Sequence, residues 1–269
     1  MTSVTDHGHF GLYSFGGLSI RVEPSTGASM MVTERTPVGD VVAKHPRAAG
    51  VFEKYHIDYC CRGNQPLGHA CHAAGLAPSQ VIDEILRTTL ESSEDRDWTT
   101  ATLSELAVHI VWVHHAFLRN ELPALEARLR KVIDAHGERH GKALEALSRA
   151  FLGLKQELEI HLEKEELVLF PVIERLERAH VASEKRPTAP FGSVRNPIGM
   201  MEQEHRSAGD LLSRMRRATL DYTVPPDGCA TYRALFEGLV RLEADLHRHI
   251  HLENNILFPR AVGLEAAFG

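Results

Sequence analysis

Over the second half of the chain, apolar residues recur at three- and four-residue intervals, the spacing of helices that bury one face. Leu103, Leu106, Ile110, Val113 and Phe117 make a first stripe, opened by Thr102 as N-cap with Glu105 three residues on. Leu144, Leu147, Phe151, Leu154 and Leu158 make a second, running to Pro171 or a little past it. Ile198, Met201, Ala208, Leu212 and Met215 form a third, and Leu235, Leu239, Leu242 and Leu246 a fourth. Pro187, Pro190, Gly192 and Pro197 separate the second from the third, and Pro225, Pro226 and Gly228 the third from the fourth. Four amphipathic helices with shortish connections predict an all-α, antiparallel four-helix bundle over residues 100–265. Upstream, short apolar clusters punctuated by Gly63, Pro66, Gly75 and Pro78 predict a small domain of three or four short helices over residues 35–92. Residues 1–34 show no sustained period and end near Met30-Met31; they read as a flexible leader, or as sequence upstream of the true start. Glu91 to Thr100 reads as a linker.

Each apolar stripe of the bundle, continued at the same spacing, runs into polar residues. The second leads to His161 and Glu165, the fourth to His249 and Glu253. His114 lies four beyond Ile110, and His205 four beyond Met201. Every helix thus offers one inward histidine, and two add a carboxylate one turn on, on the same face. Burying a polar group without compensation costs roughly 2–7 kcal/mol, so six together would exceed the roughly 5–15 kcal/mol stability of a domain. A shared metal centre removes that cost. Four imidazoles and two carboxylates are too many for a closed tetrahedral zinc site but suit two metals with glutamates bridging them; mixed nitrogen and oxygen donors favour iron, with manganese or zinc as substitutes.

An internal repeat supports this reading. HLEKEELVLFP (His161–Pro171) aligns without gaps to HIHLENNILFP (His249–Pro259), and the histidine upstream of each lies at a comparable distance, so two helical hairpins read as approximate copies. One turn before each repeated histidine stands an acid, Glu157 and Asp245, placed to orient an imidazole or to ferry protons. His109, His115, His247 and His251 flank the chosen ligands, and His115 and His251 are the ones most easily confused with them. His7, His9, His136, His140 and His180 read as plain surface.

Composition adds exclusions. The chain has 269 residues, 43% hydrophobic and 25% charged, as in ordinary globular proteins. A net charge of −6 offers no basic field for nucleic acid, and no apolar run is long enough for a membrane span. Seventeen histidines strengthen the metal reading. Four cysteines, two of them adjacent, make no disulfide framework, which suits a reducing cytoplasm. A homodimer is compatible with the sequence.

His161–Pro171, the EQEH ending at His205, HIHLENNILFP and the DYCCRG of Asp58–Gly63 together resemble the iron-sulfur cluster repair di-iron proteins, the RIC or YtfE/ScdA family, from about Thr36 to Ala261. The resemblance implies a hemerythrin-like bundle whose two iron ions are held by His114, His161, Glu165, His205, His249 and Glu253, with both carboxylates bridging. It implies acidic residues near the centre at Glu157 and Glu204, and a functional cysteine pair, Cys60 and Cys61. The alternative for those thiols is a pair of small buried hydrophobes, since adjacent cysteines do not easily close a relaxed disulfide. Cys71 and Cys229 read as structural. The function implied is restoration of iron-sulfur clusters damaged by nitrosative or oxidative stress, with damaged iron-sulfur proteins as partners and nitric oxide or oxygen as small ligands. Iron donation, and nitric oxide binding or reductase-like turnover, are the chemistries implied. The alternative is a protein that binds, buffers or senses nitric oxide or oxygen without turnover, linked to denitrification. A purely structural bundle is the third reading.

Overall fold

The structure, a computed structural model, describes residues 32–89 and 96–268. The leader expected over residues 1–34 and the centre of the expected linker lie mostly outside them. Residues 32–34 are not leader: Val32 is buried, and the Glu34 carbonyl accepts from the Gly68 N–H at 2.8 Å.

The first four helices, α1 (Val38–Lys44), α2 (Ala48–Lys54), α3 (Leu67–Ala73) and α4 (Pro78–Thr89), form the small helical region. Pro37 and Pro66 lead into α1 and α3, where a missing N–H costs nothing. The bundle's first helix opens as α5 (Leu103–His109). Thr102 caps it in a reciprocal capping box: the Glu105 N–H donates to Thr102 Oγ1 at 3.1 Å, and the Thr102 N–H to Glu105 Oε2 at 3.0 Å. After a π-helical turn (Ile110–His115), α6 (Ala116–Lys164) runs on to a break at His140 (φ −116°, ψ 17°), where the chain reverses into the second helix. A second π turn (Glu165–Leu169) leads into α7 (Phe170–Val181). The third helix is α8 (Arg195–Ala218). The fourth is α9 (Ala230–Leu252), a third π turn (Glu253–Leu257) and α10 (Phe258–Ala266). No strand occurs among the described residues, and none of their helices is long and apolar enough to cross a membrane.

The buried apolar residues fall into two clusters. One joins the small helical region to the His140 end of the bundle through residues such as Phe52, Tyr59, Leu158, Leu246 and Ile250; the other fills the opposite end around Leu106, Ile110, Phe170, Met201 and Phe258. A layer of buried histidines and glutamates lies between them. One surface expectation is revised: His136 and His140 are half-buried with their rings edge-on to Tyr232. Cys229, read as structural, is exposed at the N-terminus of α9.

Candidate metal centre

All three π turns touch the polar layer: one ends on His115, and the others begin at Glu165 and Glu253. A π turn spends one extra residue and so rotates the following side chains past the position that α-helical spacing predicts. In the first helix the inward partner of Ile110 is therefore five residues on, not four. This corrects the expectation for His114: the structure places His115, fully buried, in the layer, while His114 Nδ1 lies 3.0 Å from Asp245 Oδ1. The same slip leaves Val113 and Val168 at the surface and buries Leu169. The third helix has no π turn, and His205, four beyond Met201, is inward as expected.

The six side chains form two matched quartets. His161 Nε2 and His205 Nε2 are 3.1 Å apart, as are His115 Nε2 and His249 Nε2. Glu165 spans both pairs, with Oε1 3.4 Å from His161 Nε2 and Oε2 3.4 Å from His115 Nε2. Glu253 does the same: Oε1 is 2.9 Å from His249 Nε2 and Oε2 3.1 Å from His205 Nε2. Each quartet of two imidazoles and two carboxylates has its donor atoms within 4.8 Å of one another and is wholly buried.

Neighbouring groups fix the tautomers. His161 Nδ1 donates to Glu204 Oε2 at 2.8 Å, His115 Nδ1 to Glu166 Oε1 at 2.7 Å, and His205 Nδ1 to Asn254 Oδ1 at 2.9 Å. With its proton on Nδ1, a neutral imidazole turns a lone pair inward from Nε2. The His161–His205 pair thus sets two lone pairs face to face beside the carboxylates. Glu165 Oε1 and Oε2 and Glu253 Oε2, all buried, accept no hydrogen bond. Such an array is repulsive by itself and is satisfied by cations, so the donor set fits a metal pair. Proton affinities follow the same field. Burial works to lower His161, but the Glu165 charge, the closeness of Glu165 and the bond to Glu204 push it up to about 10, so without a metal a proton takes the place that a cation would fill. Burial works to raise Glu253, but the charge of His249, the closeness of His205 and the bond from His249 hold it well below the carboxylate range.

Beside the centre, a cavity of about 10 Å³ has room for one water-sized molecule. Leu158, Ala208, Leu246 and Ile250 line it with Glu157, Glu204 and three of the imidazoles; His115 is not among them. Glu204 is held down to about 2, first by its bond from His161 and then by Lys164, so at neutral pH it is an ionised acceptor that orients His161. Glu157 is exposed and accepts from Ser207 Oγ at 2.8 Å.

The cysteine loop docks on the third π turn. Asn255 Nδ2 donates to the carbonyls of Tyr59 and Cys60 at 3.2 and 3.1 Å, and Asn254 Nδ2 to that of Cys60 at 3.3 Å. Gly39 and Gly63 make this approach feasible, since a Cβ there would meet Asn255 Oδ1 at 2.8 and 2.0 Å. Cys61 Sγ lies 3.9 Å from the His205 carbonyl and 3.8 Å from Cys60 Sγ. The hydrogen bond with Cys61, burial and the Asp58 charge push the Cys60 thiol well up, leaving half-buried Cys61 as the accessible sulfur.

The structure thus brings together His161, Glu165, His205, His249 and Glu253, with Glu204 against them, Glu157 at the cavity and Cys60 and Cys61 behind His205. Sequence reasoning missed Glu166 and Asn254 and misassigned His115. The repeat held the signal for the first two, because they occupy the same position in its two copies, directly after the carboxylates.

The comparisons with known proteins agree with this architecture. Residues 106–261 match the hemerythrin HHE cation binding domain, and residues 34–89 match ScdA_N, a domain of unknown function (DUF542). The chain is 36% identical over 230 residues to the iron-sulfur cluster repair protein YtfE of Escherichia coli O157:H7, covering 85% of this chain and 97% of that protein. It is 39% identical over 229 residues to the YtfE of Edwardsiella ictaluri, covering 84% and 96%. With both domain matches in order and relatives this similar over nearly their whole length, the chain belongs to the hemerythrin-domain family of iron-sulfur cluster repair proteins.

Proposed function

We propose that the centre holds two iron ions, one between His161 and His205 and the other between His115 and His249, with Glu165 and Glu253 each bridging. We propose further that it serves the repair of iron-sulfur clusters damaged by nitrosative or oxidative stress, binding and reducing nitric oxide or donating iron. The observation that carries this is the pair of buried quartets with their carboxylate oxygens unsatisfied. Iron, when bound, supplies one-electron chemistry and positions open to a small ligand. The chain's own residues do the rest. Glu204, Glu166 and Asn254 hold three imidazoles in the tautomer a metal needs. The largely apolar cavity offers a small ligand a place beside three of the imidazoles. Glu157, at the cavity and open to water, can pass protons, and Cys61 can take up iron or nitric oxide beside His205.

Metal analysis and Mössbauer spectroscopy on natively purified protein test the centre: two coupled irons per chain are expected, and negligible metal would overturn it. One observation favours a second reading. Forming nitrous oxide joins two nitric oxide molecules, whereas the cavity holds one water-sized molecule, which suits binding without turnover. Anaerobic mixing of the diferrous protein with nitric oxide and a reductant, followed by gas analysis, separates the two. Sustained nitrous oxide excludes the pure binder, and its absence excludes the reductase.

A further inference from the structure

A file of aromatic rings leads from the buried layer to the surface. The His249 ring stacks on that of His114, with centroids 5.5 Å apart and planes 5° from parallel. His114 meets His109 edge-on at 5.7 Å, and His109 packs on the Trp98 indole at 4.1 Å. Trp98 is half-buried, just ahead of the Thr102 cap, and its carbonyl accepts from Arg260 Nη1 at 3.1 Å, which ties the turn to the bundle. The Arg96 guanidinium lies over the indole at 4.4 Å. Nothing in the ligand set requires these rings to touch, yet together they make an unbroken path from a proposed iron ligand to solvent.

Electron transfer weakens exponentially with distance through apolar filler and more slowly through a run of ring contacts. Imidazole is hard to oxidise and serves as a bridge, whereas indole is among the more readily oxidised side chains and can hold the charge. Resting on the iron reading above, we propose that Trp98, reached through His114 and His109, is the outlet for an oxidising equivalent left when a peroxide meets a centre with only one ferrous ion to give. Hydrogen peroxide needs two electrons and two protons to become two waters. Iron(II) supplies one electron and becomes iron(III); the Trp98 indole supplies the other and loses its N–H proton, and one further proton comes from water. The Arg96 cation disfavours a positive indole and so promotes loss of that proton. A small thiol at the surface then returns a hydrogen atom to the indole and leaves as a thiyl radical. The centre is spared, and the damage is moved to a replaceable reductant.

Trp112, the other tryptophan, is 76% exposed and outside the file, and so provides an internal control. The full chain is loaded anaerobically with ferrous iron, its iron content is measured, and one equivalent of ferricyanide per chain leaves each centre with a single ferrous ion; it is then treated with hydrogen peroxide in air without thiol, and its peptides are mapped for oxygenated indole. Trp98 should be modified several-fold more than Trp112, only in iron-loaded protein, and added thiol should suppress it. His109→Leu should retain iron and lower Trp98 modification several-fold, while His109→Phe, which keeps a ring, restores it. Equal modification of both tryptophans, or no dependence on residue 109 at unchanged iron content, overturns the outlet and leaves the iron reading intact. Failure to bind iron sinks the iron reading instead.

Discussion

The residue before the inward histidine of the first hairpin is His114; in the second hairpin the same place is taken by Glu204. Glu204 accepts from His161 Nδ1, whereas His114 turns to Asp245 and leaves His249 Nδ1 buried with no hydrogen-bond partner. The residue after each bridging carboxylate differs too. Glu166, braced by Arg119 at 2.8 Å, orients His115, and Asn254 orients His205. One position further on, Leu167 is exposed while Asn255 anchors the cysteine loop. Duplication explains why the donors match. The unmatched neighbours make the halves unequal: His161 and His205 both line the cavity, with the thiols behind His205, whereas in the other half only His249 reaches the cavity and leads on to Trp98, and His115 is sealed against Phe170.

The largest effect should come from removing what the halves share. Because each carboxylate reaches both imidazole pairs, Glu253→Ala or Glu165→Ala is expected to release both metals, not one, with helicity retained. Metal analysis beside circular dichroism checks this, and retention of one tightly held iron would show that the bridges are not shared. Removing one imidazole should separate the halves. His161→Ala is expected to lose one iron and the spectroscopic response to nitric oxide, while His115→Ala loses one iron and keeps the response. An identical loss of response in both would dissolve the distinction drawn from the cavity. Smaller again is the effect of an orienting group. Glu204→Gln should weaken iron binding by about 10–100-fold through the freed His161 ring, read by competition with a chelator.

The correction at His114 shows what the sequence could and could not display. The four stripes, the Thr102 cap and the repeated histidine–glutamate pairs follow from regular α-helical spacing and were legible. His205 was legible for that reason, since α8 is regular throughout. His115 was not, because a π turn is written in no residue preference and shows only as a register slip that Val113 and Val168 disguise by being apolar and exposed. The contact of Asn255 with Gly39 and Gly63 is long-range, and no periodicity reports which loop a glycine lets in. Trp98 lay in a stretch that reads as linker, and its partnership with His109 is visible only in three dimensions.

The smallest effect concerns the side of the first hairpin that carries the ring file. Burial, followed by the charges of His114 and Arg96, lowers His109 from 6.5 to about 4. The folded chain therefore keeps His109 neutral where the unfolded chain already binds a proton. With more protons on the unfolded side, stability falls as pH drops below about 6.5 and levels off below about 4, where both states are protonated. Other buried histidines contribute to the same window, so the comparison is with His109→Leu: urea midpoints measured from neutral pH down to acid should fall less steeply in the variant. Parallel slopes would mean that His109 is open enough to take its proton without leaving Trp98, and the ring contact would then be too loose to serve as one side of an asymmetric centre.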